Sequence, residues 1–353
     1  MKRILSISLT FVLVMVLLAG CGGDKAPAPA DPGVDAEQTY NWRLAHEENN
    51  GSMQDVYAKE FVRVLEEKSN GRIKVDIFPV GQIGDATQQA ELLQNGGLEF
   101  GIVSPGNTGA MVPENQLFSL HFLFSEDMRK NSEILKTSKA LNEDLTALYL
   151  DKNIKVLAYW HEGPMQWTSN REVNTPDKWK GMKMRTMPSP MIVASYEAYG
   201  ANPTPLPYLE VYSGLQLKMI DGQENPISAI EEMKFCEVQD YLTLAAANLY
   251  VTTTACNPDF FNGLPEDIQQ IILETVEETR EAAFKAQDDL NSVALEQIKE
   301  DYDIEVVYLT DEERELFKEK SKSAYDVYKN MVGEKGAAIL DKLMEEVAEI
   351  EGK

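Results

Sequence analysis

An arginine inside an apolar strand is the most chemically suggestive feature of this 353-residue chain. Residues 182–187 read Met-Lys-Met-Arg-Thr-Met, a largely buried strand with Lys183 near its start and Arg185 within it. Lys183 can extend its ammonium to water along a flexible stem. Arg185 lies deeper, and a guanidinium stays charged when buried, so it needs an anionic partner. That partner is either an Asp or Glu of the chain itself or a carboxylate from outside, held two-pronged by the planar fork. Spacing alone does not choose between them. Asn225, in a turn just before Pro226, carries an amide that both donates and accepts, and it serves either a ligand or the turn. Tyr208 follows Pro203, Pro205 and Pro207 and offers either an aromatic wall or a ring for helix packing.

Motifs for catalysis are missing. There is no Gly-x-Ser-x-Gly elbow, no Walker loop, no Gly-x-Gly-x-x-Gly after a strand and no His-Glu-x-x-His. The three histidines, His46, His121 and His161, fall in unrelated segments without metal-ligand spacing. His161 and Glu162 are adjacent, but neighbours on a strand point to opposite faces, which argues against a joint acid–base role. The expectation is a binding protein that is not an enzyme, with no metal and no cofactor. A formal charge of −25 and a pI near 4.5 exclude the basic face that nucleic acid requires. They do not exclude an anionic ligand, because the local field of a site matters more than the global sum.

Positioning these residues takes a framework that the pattern supplies. From Asn41 the chain reads strand, helix, strand, helix, strand to Val103, the order of a mostly parallel sheet. Ligands in such sheets sit beyond the C-terminal strand ends, here the loops at 46–50, 82–85 and 104–107. Residues 154–160 form a further strand, and residues 250–255 a strand returning to the first unit. Ser189-Pro190 opens a helix that Gly200 closes, and residues 208–219 read as another helix. Residues 266–300 carry few breakers and an apolar stripe of Ile268, Ile272 and Val276. One helix of that length spans about 50 Å, enough to cross two domains; a bent pair of helices is the alternative. The N-terminus begins Met1-Lys2-Arg3, continues apolar from Ile4 to Leu18 and ends Leu-Ala-Gly-Cys at Cys21, a lipoprotein signal pattern. That run is short for a membrane-spanning anchor. Cys236 and Cys256 remain, either paired or as buried free thiols.

Four stretches then carry a family resemblance: residues 71–75 (GRIKV) with 81–84 (GQIG), residues 168–171 (TSNR), residues 181–185 (GMKMR), and above all residues 203–226 (PTPLPYLEVYSGLQLKMIDGQENP). Over essentially the mature chain the sequence resembles the substrate-binding proteins of tripartite ATP-independent periplasmic (TRAP) transporters, of the dicarboxylate/sialic-acid type. The resemblance implies an α/β, two-domain periplasmic-binding-protein fold with hinge strands and a long C-terminal helix spanning both domains. The expected layout is a signal peptide at 1–20, a flexible linker at 21–39, a first domain of 40–162 plus 251–290, and a second of 163–250 plus 291–353. The resemblance further implies that Arg185 pairs with a substrate carboxylate, that Asn225 helps hold it, and that Tyr208 lies over the ligand. Glu47, Ser104 and Asn107 would contribute contacts from the first domain. Met165 stands where many relatives carry a second arginine, so one positive group is expected to be lost. The implied function is an extracytoplasmic receptor, a monomer lipid-anchored through Cys21, that delivers a small organic acid to a sodium-coupled permease of small and large subunits. The alternatives are the binding lipoprotein of an ATP-driven (ABC) importer and a ligand-sensing partner of a signalling receptor.

Overall fold

The computed structural model describes residues 38–352; the signal segment, Cys21 and the linker up to residue 37 lie outside the described residues. Strands β1 (Tyr40–His46), β2 (Ile73–Phe78), β3 (Phe100–Val103), β4 (Lys155–Pro164) and β10 (Leu249–Cys256) form one sheet. A second sheet holds β5 (Gln166–Ser169), β6 (Lys183–Thr186), β7 (Asn202–Pro205), β8 (Gly222–Asn225), β9 (Tyr241–Leu244) and β11 (Glu305–Tyr308).

In the first sheet the order is β2-β1-β3-β10-β4, with β1, β2 and β3 parallel and β10 antiparallel to both neighbours. The parallel part matches the pattern read from residues 41–103, and β10 is the returning strand expected at 250–255. Both faces are buried, as crossover helices require. Ala45, Val103 and Tyr159 enter one core, and their strand neighbours Leu44, Ile102 and Trp160 enter another. The second sheet runs β11-β9-β5-β8-β6-β7, with β6 parallel to β7 and β8.

Between the sheets the chain passes from β4 to β5 through Pro164-Met165 and returns from β9 to β10. Helix Glu266–Asp301, a single run of 36 residues, crosses as well. Its buried Ile268, Ile272, Val276 and Ala283 pack in a first-sheet core, while Ala294 and Ile298 pack in a second-sheet core. The continuous-helix alternative is the observed one. Helix Asp311–Glu351 breaks at Gly333, whose φ of 69° only glycine adopts easily. Phe317 belongs to a second-sheet core, but Tyr328, Leu340 and Leu343 pack with the first sheet. The far half of this helix therefore sits with the first sheet, where chain position alone put it in the second domain.

Three local readings change. The strand read as ending at Trp160 continues through His161 and Glu162 to Pro164. The helix expected over 208–219 is a 3-10 turn, Tyr208–Glu210, followed by helix Val211–Gln216. Asn225 closes strand β8 rather than occupying a turn. Among the described residues no helix is long and apolar enough to cross a membrane. Cys236 and Cys256 are free, buried thiols in separate cores.

Candidate functional site

Parallel strands leave their C-terminal ends on one side, and in both sheets those ends face the same cavity. Glu47 and Glu48 follow β1, the stretch from Val80 to Thr87 follows β2, and Asn107 lies just after β3. Opposite them, Arg185 lies in β6, Leu206 to Glu210 follow β7, and Asn225 ends β8. Together with Tyr250 at the start of β10 they enclose about 420 Å³, within the ~300–1,000 Å³ usual for small-molecule sites.

Arg185 is 3% exposed, and its Nε donates to the Leu206 carbonyl at 3.0 Å. Among the described residues no carboxylate lies within ion-pair distance of it. Burial draws its pKa down, while Tyr250, Tyr208 and Glu224 oppose that shift. Glu224 is the nearest acidic candidate, but its Oε2 accepts from the Tyr196 hydroxyl, which in turn accepts from Trp167 Nε1 at 2.9 Å. Burial pushes the Glu224 carboxyl up to about 7, which further weakens it as a counter-ion. The internal ion pair is thus not what the fold builds; the guanidinium faces the cavity still in need of an anion.

Across the cavity the wall is acidic. Glu47 Oε1 accepts from the Ser104 backbone at 3.0 Å and Oε2 from Asn107 Nδ2 at 3.0 Å, while burial pushes its pKa up to about 7. Glu48 lines the cavity beside it. Tyr208 packs its ring edge-on to Phe235, 6.5 Å between centroids. Its hydroxyl is buried without a hydrogen-bond partner, in the field of Glu48 and Glu232. Asn225 spends an amide proton on Gln223 Oε1, and Gln223 Nε2 donates to Thr168 Oγ1 at 3.0 Å, which fixes the Asn225 amide plane at the cavity rim.

The profile of the bacterial extracellular solute-binding proteins of family 7 matches residues 44–331. The chain belongs to this family. An ectoine-binding periplasmic protein of Halomonas elongata is 36% identical over 90% of this chain and 93% of its own length. Its solved structure superposes with a TM-score of 0.85, covering 88% of this chain and 99% of the other at 35% identity. An ectoine/5-hydroxyectoine-binding periplasmic protein of Ruegeria pomeroyi is also 36% identical, over 89% of this chain and 92% of its own. A TRAP periplasmic solute-binding protein from Desulfovibrio salexigens, solved with bound orotic acid, has a TM-score of 0.84 at 28% identity, covering 88% of this chain and all of that one. This family-7 protein is therefore a solute receptor of the TRAP type, periplasmic and working with membrane permease subunits, and the ABC reading falls away.

Of the receptor's expected site residues, the fold gathers Arg185, Asn225, Tyr208, Glu47 and Asn107 around one cavity. Ser104 and Met165 do not line it; they border a small void of about 20 Å³ behind Tyr250 and Met187. Ser104 reaches the site through its bonds to Glu47 and Asn107, and Met165 is 1% exposed. The reading from sequence missed Glu48, Tyr250 and the residues behind them, Gln54 and Glu162. Only the position of Glu48 directly after Glu47, at a parallel-strand end, was available as a signal.

Proposed function

We propose that this receptor binds a small zwitterion, with its carboxylate on Arg185 and its cationic group against Glu47 and Glu48. The observation that carries the reading is the charge arrangement of one cavity: an arginine without a carboxylate on one wall, and two glutamates without a cation on the other. A dianion would satisfy the arginine but place its second charge against the acidic wall. A zwitterion such as ectoine, whose amidinium and carboxylate carry opposite charges, satisfies both, and two relatives bear that ligand in their names. Tyr208 supplies a ring and a free hydroxyl, and Asn225 a carbonyl oxygen, to the ring atoms between the two charges. The ligand leaves unchanged.

In the same reading the two sheets are the cores of lobes that close on the ligand, and the closed form docks on the small and large subunits of a sodium-coupled permease. The receptor works as a monomer tethered by lipid on Cys21, which follows Leu-Ala-Gly after an apolar run. Cys21→Ser releases it from membranes; full retention of that variant would point to a different anchor. The ligand class is tested by titration calorimetry of the soluble domain with ectoine, 5-hydroxyectoine and succinate. The expected result is binding of one or both zwitterions and none of succinate. Tight succinate binding with no zwitterion heat would overturn the assignment.

A further inference from the structure

Behind the acidic wall lies a carboxyl cluster that the ligand contacts alone do not explain. Glu48 and Glu162, 5% and 1% exposed, both bond to the same residue, Gln54, and burial raises the pKa of each. Two carboxyl groups held together out of water disfavour a second negative charge, so the pair retains a proton. Gln54, fully buried, ties the cluster together. Its Oε1 accepts from the Glu47 backbone at 2.8 Å, its backbone N–H donates to Glu48 Oε2 at 3.3 Å, and its Nε2 donates to Glu162 Oε1 at 2.9 Å. Glu162 also accepts from Thr252. Glu47 differs, because N–H donors cap both its oxygens and partly offset the upward push of burial on its pKa.

Among the described residues no cation answers this cluster from any side. Arg185 is the one cation among the described residues that line the cavity, and it stands on the far wall. Helix Met53–Lys68 presents Asp55, already paired with Lys59 and facing His46. Strand β10 presents Tyr250, the 3-10 turn Tyr208, and helix Ile227–Glu232 presents two further acids, Glu231 and Glu232, the latter accepting from Asn49 at 2.9 Å. The long helix brings no charged group to this spot, only the Asn291 amide, which donates to the Glu162 carbonyl at 2.7 Å, and Gln297 with the apolar Leu290, Val293 and Ala294 beside Glu48.

We propose that the empty receptor stores a proton between Glu48 and Glu162 and that the ligand's cationic group displaces it, so that binding exchanges one charge for the other. The proton passes to solvent, Glu48 turns its freed charge to the ligand, and the wall's net charge is nearly the same before and after. This rests on the zwitterion reading above and adds a proton stoichiometry to it. Because the proton competes with the ligand, affinity rises with pH, by up to about tenfold per unit for one linked proton.

Calorimetry with ectoine as the probe, repeated at pH 7 in buffers of different ionisation enthalpy, reads the number of protons released. The expected count is close to one for the native protein, with Kd tightening between pH 6 and 8. Glu162→Gln, which keeps the shape and removes the shared proton, brings the count near zero while ectoine still binds. Binding by the native protein with a count of zero would overturn the proposal and leave the zwitterion reading intact. A count that survives in Glu162→Gln would overturn it too, by moving the proton to Glu47. No ectoine heat at all sinks both readings, and the native measurements need no variant to fold.

Discussion

Removing the Arg185 guanidinium would leave the ligand's carboxylate unpaired in a site where no second cation stands among the described residues. Truncating one member of such a buried pair costs about 2–5 kcal/mol, on the order of 30- to several-thousand-fold in affinity. Arg185→Lys is expected to fail as well, since an ammonium cannot both keep the Leu206 carbonyl and grip a carboxylate with a fork. Titration of both variants, with circular dichroism to confirm folding, checks this; wild-type affinity in Arg185→Ala would place the carboxylate elsewhere. Arg185 was legible in the sequence because a guanidinium in an apolar run is an anomaly visible in one dimension. Glu48 and Glu162 were not. In a chain of −25 net charge an extra glutamate reads as solvated surface, and only the register of β4 against β10 puts Glu162 beside Thr252. Met165 was noticed for a missing charge, yet its position behind Tyr250 depends on how the crossing strands pack.

At the scale of elements, the loops at the cleft mouth already touch across it. A Cβ at Gly106 would lie 2.5 Å from Met187 Sδ, and one at Gly81 would lie 3.3 Å from Leu209 Cδ1. Each glycine comes from a first-sheet loop and each partner from the second sheet's side. Gly106→Leu should wedge these loops apart, weakening ligand binding while sparing the cores. Small-angle scattering would show it: the native radius shrinks on ligand addition and the variant's does not. A variant that contracts like the native protein would show that Met187 simply swings aside. The helices were the most legible elements, because their stops and caps are local chemistry. Asp85 and Gln88 form a reciprocal cap at the start of helix Ala86–Gln94. Strand β7 was not legible, since Pro203 and Pro205 argue against a strand anywhere but at an edge, and β7 is the edge.

For the molecule as a whole, buried ionisable groups set opposite wings of the stability curve. His46, His121 and His161 are held neutral by burial, their pKa values drawn from 6.5 down to about 4, 3 and 4. Their share of stability is complete above pH 6.5 and is lost as pH falls toward 4. Glu47, Glu224 and Glu232 are pushed by burial from 4.5 up to about 7. Their share is complete below pH 4.5 and is lost as pH rises through 7. From pH 6.5 to 8 only the glutamates still act, so the thermal midpoint of the ligand-free receptor should fall across that window. Scanning calorimetry at several pH values tests this, with Glu224→Gln flattening the fall; a midpoint that rises from 6.5 to 8 would contradict it. The first sheet was readable from the order of strands and helices, whereas the two-domain layout rested on the family resemblance, because β5, β7, β8, β9 and β11 are only four residues each. The packing of the last helix was not readable, because a surface of charges hides which of its faces is apolar. That helix has a consequence for how the protein comes into being. Tyr328, Leu340 and Leu343 complete the core begun by Leu93 and Leu98, and β11 completes the sheet begun by β5. A chain emerging N-terminus first, from a ribosome or a membrane pore, therefore cannot finish either half until about its final seventh arrives. Nascent receptor stays loose and threadable until almost the last residue, and a premature stop anywhere before the final helix leaves two unfinished halves instead of one good one.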